Sequence, residues 1–295
     1  QPCNGHGTKV ASIMVGKTAG IAPKGDRKIY NIGIFDCNGF GFVSSLIGSF
    51  SNAIDYAAEN KQRGRRSLVN LSGVSNANFA IDKAAEEVVK AGIPFIGAAG
   101  NDADNACNRR SPPRARGVIA VGATKNPGDV LADFSNWGYL GECVDLYLPG
   151  YVSVFDVNSG KKIISSGSSY SAPIATIMCA IRMYFNRAAT PVQLQQWLVS
   201  KTITVTPPAD AAFTSPIPVM LANNACPNLQ LINDFTTSKR HTRKFTAWHQ
   251  AGADNNFCVQ FDLTSKKSAA LIGLRNNNTQ AGAELRLTIG KQLVF

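Results

Sequence analysis

The feature that most constrains this chain is a change of period along it. From Lys28 to Leu198, apolar runs of strand length alternate with stretches whose apolar residues recur at helical spacing. Residues 28–35 (KIYNIGIF) read as a buried strand. Residues 46–60 predict a helix with Ile47, Phe50, Ile54 and Ala57 on one face, and 67–71 a second strand. Residues 80–91 predict a helix with Asp82, Glu86 and Glu87 ahead of Lys90 and Gly92 as its stop. Strands follow at 94–98 and 118–123. Residues 171–185 predict a long apolar helix with Ala172 and Pro173 in its first turn, where proline is tolerated, and 192–198 a short last helix. Such alternation implies an α/β fold: a parallel sheet with helices on both faces. The character shifts at 207–212, and after Cys226 the period becomes two. Phe257, Val259, Phe261 and Leu263 alternate with polar positions, as do Ala270, Ile272 and Leu274, and then Leu285, Leu287 and Ile289 beyond the turn-rich 276–282. We therefore expect one domain over residues 1–225. A β-rich module, a partial β-sandwich, is expected over 226–295, incomplete at its apolar end 293–295.

The 295 residues, 44% hydrophobic and 17% charged with 26 glycines, suffice for such a core and argue against a disordered chain or a helical bundle. No apolar run is long enough to span a bilayer. The net charge of +11 is scattered, with short clusters at 61–66, 109–116 and 239–244. Without aromatic interleaving these read as solvated loop faces and argue against nucleic acid; a patch for an anionic surface or glycan is the minority reading. None of the seven cysteines (Cys3, Cys37, Cys107, Cys143, Cys179, Cys226, Cys258) forms a CxxC pair, which argues against zinc. Their wide spread implies disulfides and an oxidising compartment, and the odd total leaves at least one without an internal partner. The chain opens at Gln1 directly into motif-like sequence, with neither initiator Met nor signal peptide, and so reads as a mature or truncated product.

Three segments carry the chemistry. In Asn4-Gly5-His6-Gly7-Thr8, glycines flank a histidine at the start of an apolar stretch, so backbone or ligand can approach the ring. In 95–101 (FIGAAGN) a buried strand ends in small residues and then Asn101. Ligands of a parallel sheet sit beyond the carboxyl ends of its strands, and this amide offers N–H donors there to a developing oxyanion. In 165–173 (SSGSSYSAP) a serine begins a helix, where backbone N–H groups favour negative charge. Taken singly, these are also a structural histidine, a turn asparagine and a serine N-cap. Their order of His, Asn and Ser is the informative part.

GHGT, AAGN and SGSSYSAP resemble the signatures GHGT, AAGN and SGTSxSAP of the subtilase family. AGIAPK (19–24), SLVNLSG (67–73), SPPRARGVIAVGAT (111–124), FSNWG (134–138), VDLYLPG (144–150) and PIPVMLANN (216–224) follow the same template in order, so the resemblance covers residues 3–225. The cysteines resemble those of the secreted, proprotein-convertase-like branch of the proteinase K type. The resemblance implies a serine endopeptidase of the extracellular space or secretory pathway. Ser169 would be the nucleophile and His6 the general base, with the Asn101 side chain and the Ser169 N–H as oxyanion hole. Substrate would pair as a strand along Leu71, Ser72 and Gly73 and along the 39–43 loop with Gly39 and Gly41, and Ala98, Ala99 and Gly100 would wall the pocket for the side chain before the scissile bond. It further implies the bridges Cys3–Cys37 and Cys107–Cys143, Cys179 as a buried free thiol, and a structural calcium at Asp145 with the carbonyls of Arg116 and Val118. No other cofactor is required. The partners implied are polypeptide substrates and an inhibitory propeptide, which this chain does not contain. Cys226–Cys258 is a further candidate pair, on which the resemblance is silent.

The chain departs from the pattern in three places. The family's catalytic Asp lies upstream of the histidine, and nothing before Gln1 holds it here; Asp26 and Asp36 fall in a later region, so the Asp is expected outside this chain. Ser168 stands for the usual Thr, and Lys9 for a frequent His. The competing expectation is a catalytically impaired subtilase-fold protein that binds partners through 226–295. That segment faintly resembles β-sandwich domains of the farnesoic acid O-methyltransferase type. Asn277-Asn278-Thr279 fits a glycosylation site; Asn70-Leu71-Ser72 also fits, but in a strand expected to be buried.

Overall fold

The computed structural model describes residues 5–17, 20–22, 28–125, 130–138, 142–206 and 216–220, together with the backbone of 270–275 and 284–289. The chain divides into two units, Gln1–Asn224 and Ala225–Phe295. In the second, β11 (Ala270–Arg275) pairs antiparallel with β12 (Glu284–Ile289), in register from Ala270↔Ile289 to Arg275↔Glu284. The alternation expected at 257–263 lies outside the described residues.

The first unit is built from α1 (His6–Val15), α2 (Val43–Gln62), β1 (Val69–Leu71), β2 (Ser75–Asn76), α3 (Phe79–Lys90), β3 (Phe95–Ala98), α4 (Ala106–Arg109) and β4 (Arg110–Ser111). Then come β5 (Ile119–Thr124), β6 (Leu146–Pro149), β7 (Tyr151–Asp156), β8 (Lys161–Ser166), α5 (Ser168–Phe185), α6 (Pro191–Val199), β9 (Ile203–Val205) and β10 (Ile217–Val219). The main sheet runs β1-β3-β5-β6-β10-β9, parallel except for β9.

Alternation along β3 assigns its two faces. Ile96 and Ala98 pack against α5 and α6 through Ala172, Ala175, Cys179, Leu194 and Leu198, small residues on α5 letting the helix lie close. Phe95 faces the other way, toward Phe50 of α2 and Ile81, Ala85 and Val88 of α3. Those three α3 residues are wholly buried at helical spacing. Burying a side chain the size of Ile81 or Val88 contributes roughly 1.5–3 kcal/mol. The Asn78 side chain caps α3, accepting from the Ala80 and Ile81 N–H groups at 2.9 and 3.2 Å. Thr190 and Gln193 close a capping box on α6. Helices thus cover both faces of a parallel sheet, as the alternation implied.

Two expectations are corrected. Residues 28–35 form no strand and are mostly exposed, Ile29 and Tyr30 by 47% and 45%. A parallel strand needs neighbours to take its hydrogen bonds, and among the described residues none pairs with this segment or with the free edge of β1. Second, α5 begins at Ser168, so Pro173 lies inside it rather than in its first turn. In the 109–116 cluster the Arg110 and Arg114 side chains are only 18% and 28% exposed, while Arg109 stays 68% exposed. Arg109, Arg110 and Arg114 pair with Asp104, Asp102 and Asp82 at 2.8, 2.8 and 2.7 Å. No helix among the described residues is long and apolar enough to cross a membrane.

Candidate active site

Gly167 opens α5 at φ 145°, ψ 150°, a conformation left to glycine. Ser169 follows in the first turn, where backbone N–H groups have no helical acceptor. Its carbonyl is freed as well. Pro173 stands where an N–H would bond back to it, and the Ser72 hydroxyl donates to that oxygen instead, at 2.7 Å. Ser72 is itself donated to by the Asn70 amide at 3.1 Å, and the Thr176 hydroxyl donates to Asn70 at 2.8 Å. The proline inside the helix thus ties the serine's backbone to the end of β1.

His6 begins α1, which is held on β7 and α5 by Val10, Ile13, Val154 and Tyr170. The His6 and Tyr170 rings lie 5.8 Å apart. Phe155 N–H donates to Ser12 Oγ at 3.1 Å, and Lys9 Nζ lies 3.4 Å from Asp156 Oδ1. The unusual Lys9 thereby pairs with the β7–β8 hairpin. The Ser159 hydroxyl and N–H, and after them Lys9, hold the Asp156 carboxyl below its ordinary range.

His6 and Ser169 meet at one atom. His6 Nε2 lies 3.0 Å from the Ser72 carbonyl oxygen, and Ser169 Oγ donates to the same oxygen at 3.2 Å. A carbonyl only accepts, so in this arrangement His6 Nε2 carries the proton and donates to Ser72. A general base needs Nε2 free, with the proton on Nδ1, a tautomer that a carboxylate facing Nδ1 would fix.

Asn101 is pinned from one side. Its Oδ1 accepts from Ser168 N–H at 2.8 Å and lies 2.9 Å from Ser168 Oγ, which also accepts from Gly100 N–H at 3.1 Å. That leaves Nδ2, the donor end, with no hydrogen bond among the described residues. A Cβ placed on Gly167 would lie 3.4 Å from this nitrogen and 3.7 Å from Ser169 N, so the two donors flank one small space. Ser168, wholly buried, serves without the methyl of the family's Thr.

Leu71 and Gly73 line a groove of about 160 Å³ with Gly39, Gly41, Phe35, Phe40, Phe42, Leu46, Val74 and Ile81. The Phe35 ring lies over Gly73, 2.6 Å from where a Cβ would stand. The apolar character of this groove, with Phe40 and Phe42 exposed by 75% and 80%, was not read from the sequence. Exposed phenylalanines beside the glycines of 39–43 were the available signal. Ala98 and Ala99 are buried at the end of β3, outside this groove.

Cys107 and Cys143 are bridged, with Cα atoms 5.2 Å apart. Cys37 is disulfide-bonded, while Cys3, Cys226 and Cys258 lie outside the described residues. Burial leaves Cys179 a free thiol with its pKa pushed up to about 12. The Cys107, Glu142 and Cys143 cluster is no metal site, since the bridge consumes both sulfurs.

Asp145 is a buried carboxylate with neutral partners: Ala120 N–H at 2.7 Å and Gln195 Nε2 at 2.6 Å. Burial, only partly offset by these bonds, raises its pKa from 3.8 to about 6. The folded state therefore favours the protonated form, and ionisation costs stability increasingly as pH rises from 3.8 through about 6. The full cost above that range is about 3 kcal/mol. In chelator we expect Asp145→Asn to remove this loss, so that the variant outlasts wild type in thermal melts at pH 7.5 and not at pH 4. Equal pH profiles for the two proteins would refute it.

The parallel sheet thus sets a serine at a helix N-terminus near a histidine and an amide side chain. The description "Subtilase family" matches residues 1–245, and the chain belongs to that family. It is 34% identical to an extracellular serine proteinase of Thermus sp. (strain Rt41A) over 80% of this chain and 52% of that protein. It is 32% identical to alkaline serine exoprotease A of Vibrio alginolyticus, over 68% of this chain and 35% of that protein. The chain thus spans about half or less of the length of these relatives. A crystal structure of a cold adapted subtilisin-like serine proteinase is 31% identical, with a TM-score of 0.61 over 73% of this chain and 74% of that one. The fold is subtilisin-like.

Proposed function

We propose that this chain carries most of the peptidase domain of a secreted serine endopeptidase. The observation that carries the reading is that His6 Nε2 and Ser169 Oγ converge on the Ser72 carbonyl oxygen at 3.0 and 3.2 Å, while Asn101 Nδ2 and Ser169 N both lie close to Gly167. Ser169 Oγ would attack the scissile carbonyl while His6 Nε2 takes its proton. The oxyanion would settle between Asn101 Nδ2 and Ser169 N–H, and His6 would return the proton to the leaving amine before water releases the acyl group. The carboxylate that orients His6 would come from a segment outside this chain. Substrate would run as an extended strand between 71–73 and 39–43, with alternate side chains reaching the apolar groove; Ala98–Gly100 would wall the adjoining pocket. The extracellular setting follows the relatives' names and the disulfides. An inhibitory propeptide is part of the same proposal, and a nucleic-acid role is not.

Calcium is the one ion proposed, as a structural ligand of Asp145 with carbonyls of Arg116 and Val118. The fit rests on a buried carboxylate with no cation beside it among the described residues. Bound there, the ion would supply charge compensation and rigidity. We expect millimolar calcium to raise the melting temperature of wild type and leave Asp145→Asn unmoved; an equal rise in both would remove calcium from this position.

The reading is tested on the full-length protein by cleavage of an unfolded protein substrate and by labelling with a fluorophosphonate. Cleavage abolished by label on Ser169 supports it. A folded protein that neither cleaves nor labels would favour the impaired, partner-binding reading.

A further inference from the structure

We infer that Asn136 is a positioning residue for the oxyanion hole, acting through Asn101. The inference rests on the protease reading above. Asn136 is 0% exposed, and its side-chain bonds all go to the loop that carries Asn101. Its Oδ1 accepts from Asp102 N–H at 2.8 Å and Asp104 N–H at 3.2 Å. Its Nδ2 donates to the Ala99 carbonyl at 3.0 Å and to Asp102 Oδ2 at 3.2 Å. Its own N–H bonds the Gly100 carbonyl at 3.1 Å. A primary amide offers two donors and two acceptor lone pairs, so this side chain is fully used. The loop is gripped immediately before and immediately after Asn101.

Other contacts extend the grip. Ala103 N–H bonds the Phe134 carbonyl at 2.9 Å, Trp137 N–H the Asp104 carbonyl at 3.0 Å, and Ala106 N–H the Trp137 carbonyl at 2.8 Å. Arg110 Nε holds Asp102 Oδ2 at 2.8 Å while its other arm reaches Asn76 Oδ1 at 2.5 Å. Gly100 fits this arrangement at φ +107°, where a Cβ would stand 2.3 Å from Asn136 Nδ2. None of these hydrogen bonds from Asn136 goes to Asn101 itself. Asn136 fixes the backbone from which Asn101 projects, while Ser168 fixes the side chain's Oδ1. Displacing such a donor by an ångström is enough to cost about 100-fold in rate.

The experiment is a double-mutant cycle in the full-length protein, read as kcat, KM and melting temperature. Asn136→Asp keeps acceptors for the Asp102 and Asp104 N–H groups but loses both donors and confronts the Asp102 carboxylate. Expected is a fall in kcat of about 10- to 100-fold with KM changed by less than about twofold. In an Asn101→Ala background the same substitution should cost less than about twofold, because no donor remains to be misplaced. Adding Asp102→Asn to Asn136→Asp exchanges acid and amide across that contact, though not the bond to the Ala99 carbonyl, and should recover part of kcat. If Asn136→Asp does not fold, Asn136→Ala is read in the same cycle. An unchanged kcat, or a loss undiminished in the Asn101→Ala background, overturns the inference and leaves Asn136 a structural residue only. Wild type that fails to cleave overturns the protease reading and this inference together, and shows before any Asn136 variant is measured.

Discussion

Replacing Ser169 with alanine is expected to abolish peptide hydrolysis while leaving the fold intact. In subtilisin, a member of the same family, loss of the corresponding serine costs about 2 × 10⁶ in kcat, and we expect that order here. The structural cost is small because the hydroxyl does little else. Its hydrogen bond is the long one of 3.2 Å to the Ser72 carbonyl, and that oxygen keeps His6 Nε2 at 3.0 Å. The carbonyl of residue 169, which receives the Ser72 hydroxyl, is unaffected by the change. Alanine is also a better helix former than serine, so stability should move by less than about 1 kcal/mol. Cleavage of a fluorogenic peptide and a thermal melt, run side by side on the full-length protein, decide it. Retained cleavage by a folded Ser169→Ala protein would place the nucleophile elsewhere and end the mechanism proposed here.

Removal of the Asn101 amide is expected to lower kcat by about 10²–10³, the size of the effect known for subtilisin's own oxyanion-hole asparagine, with KM little changed. The two ends of this side chain have different jobs, and two variants separate them. Asn101→Ala removes the donor and also strips Ser168 N–H of its 2.8 Å acceptor. Asn101→Asp keeps that acceptor, places a carboxylate at the N-terminus of α5 where charge is favoured, and removes only Nδ2. It should therefore fold at least as well as the alanine variant. It should nevertheless turn over no faster, because a negative charge faces the developing oxyanion. A rise in KM with kcat unchanged in both variants would mean that Asn101 binds ground state and transition state alike, and the oxyanion role would be lost.

Ser168 shows how a small departure from the family pattern is absorbed. With no methyl to bury, its hydroxyl still reaches the Gly100 N–H at 3.1 Å and Asn101 Oδ1 at 2.9 Å. The hydroxyl is the shared chemistry of Ser and Thr, and it is what couples the loop after β3 to the start of α5. Lys9 is absorbed differently, by an acid on another element, Asp156.

What the sequence by itself determined was local. The helix over 80–91 was legible because Asp82, Glu86 and Glu87 precede Lys90 and Gly92 stops it; its buried face of Ile81, Ala85 and Val88 repeats at the helical period. The strands at 95–98 and 119–124 were legible because continuous apolar runs can only be buried on both faces. His6, Asn101 and Ser169 were singled out because each stands in a short motif with its own small neighbours. Only the tertiary structure decided what joins residues distant in the chain. Pro173 looked like a first-turn proline, but α5 begins at Ser168, and the Ser169 carbonyl that Pro173 cannot bond is taken by the Ser72 hydroxyl, 97 residues earlier. The strand expected at 28–35 failed because a strand's hydrogen bonds belong to its neighbours, which its own alternation does not specify. Asn136 was one letter in FSNWG until its amide was found bound to residues 99–104, some 34 positions earlier. Periodicity reports which way a side chain faces; hydrogen bonds between distant segments depend on where the chain returns, and no local pattern encodes that.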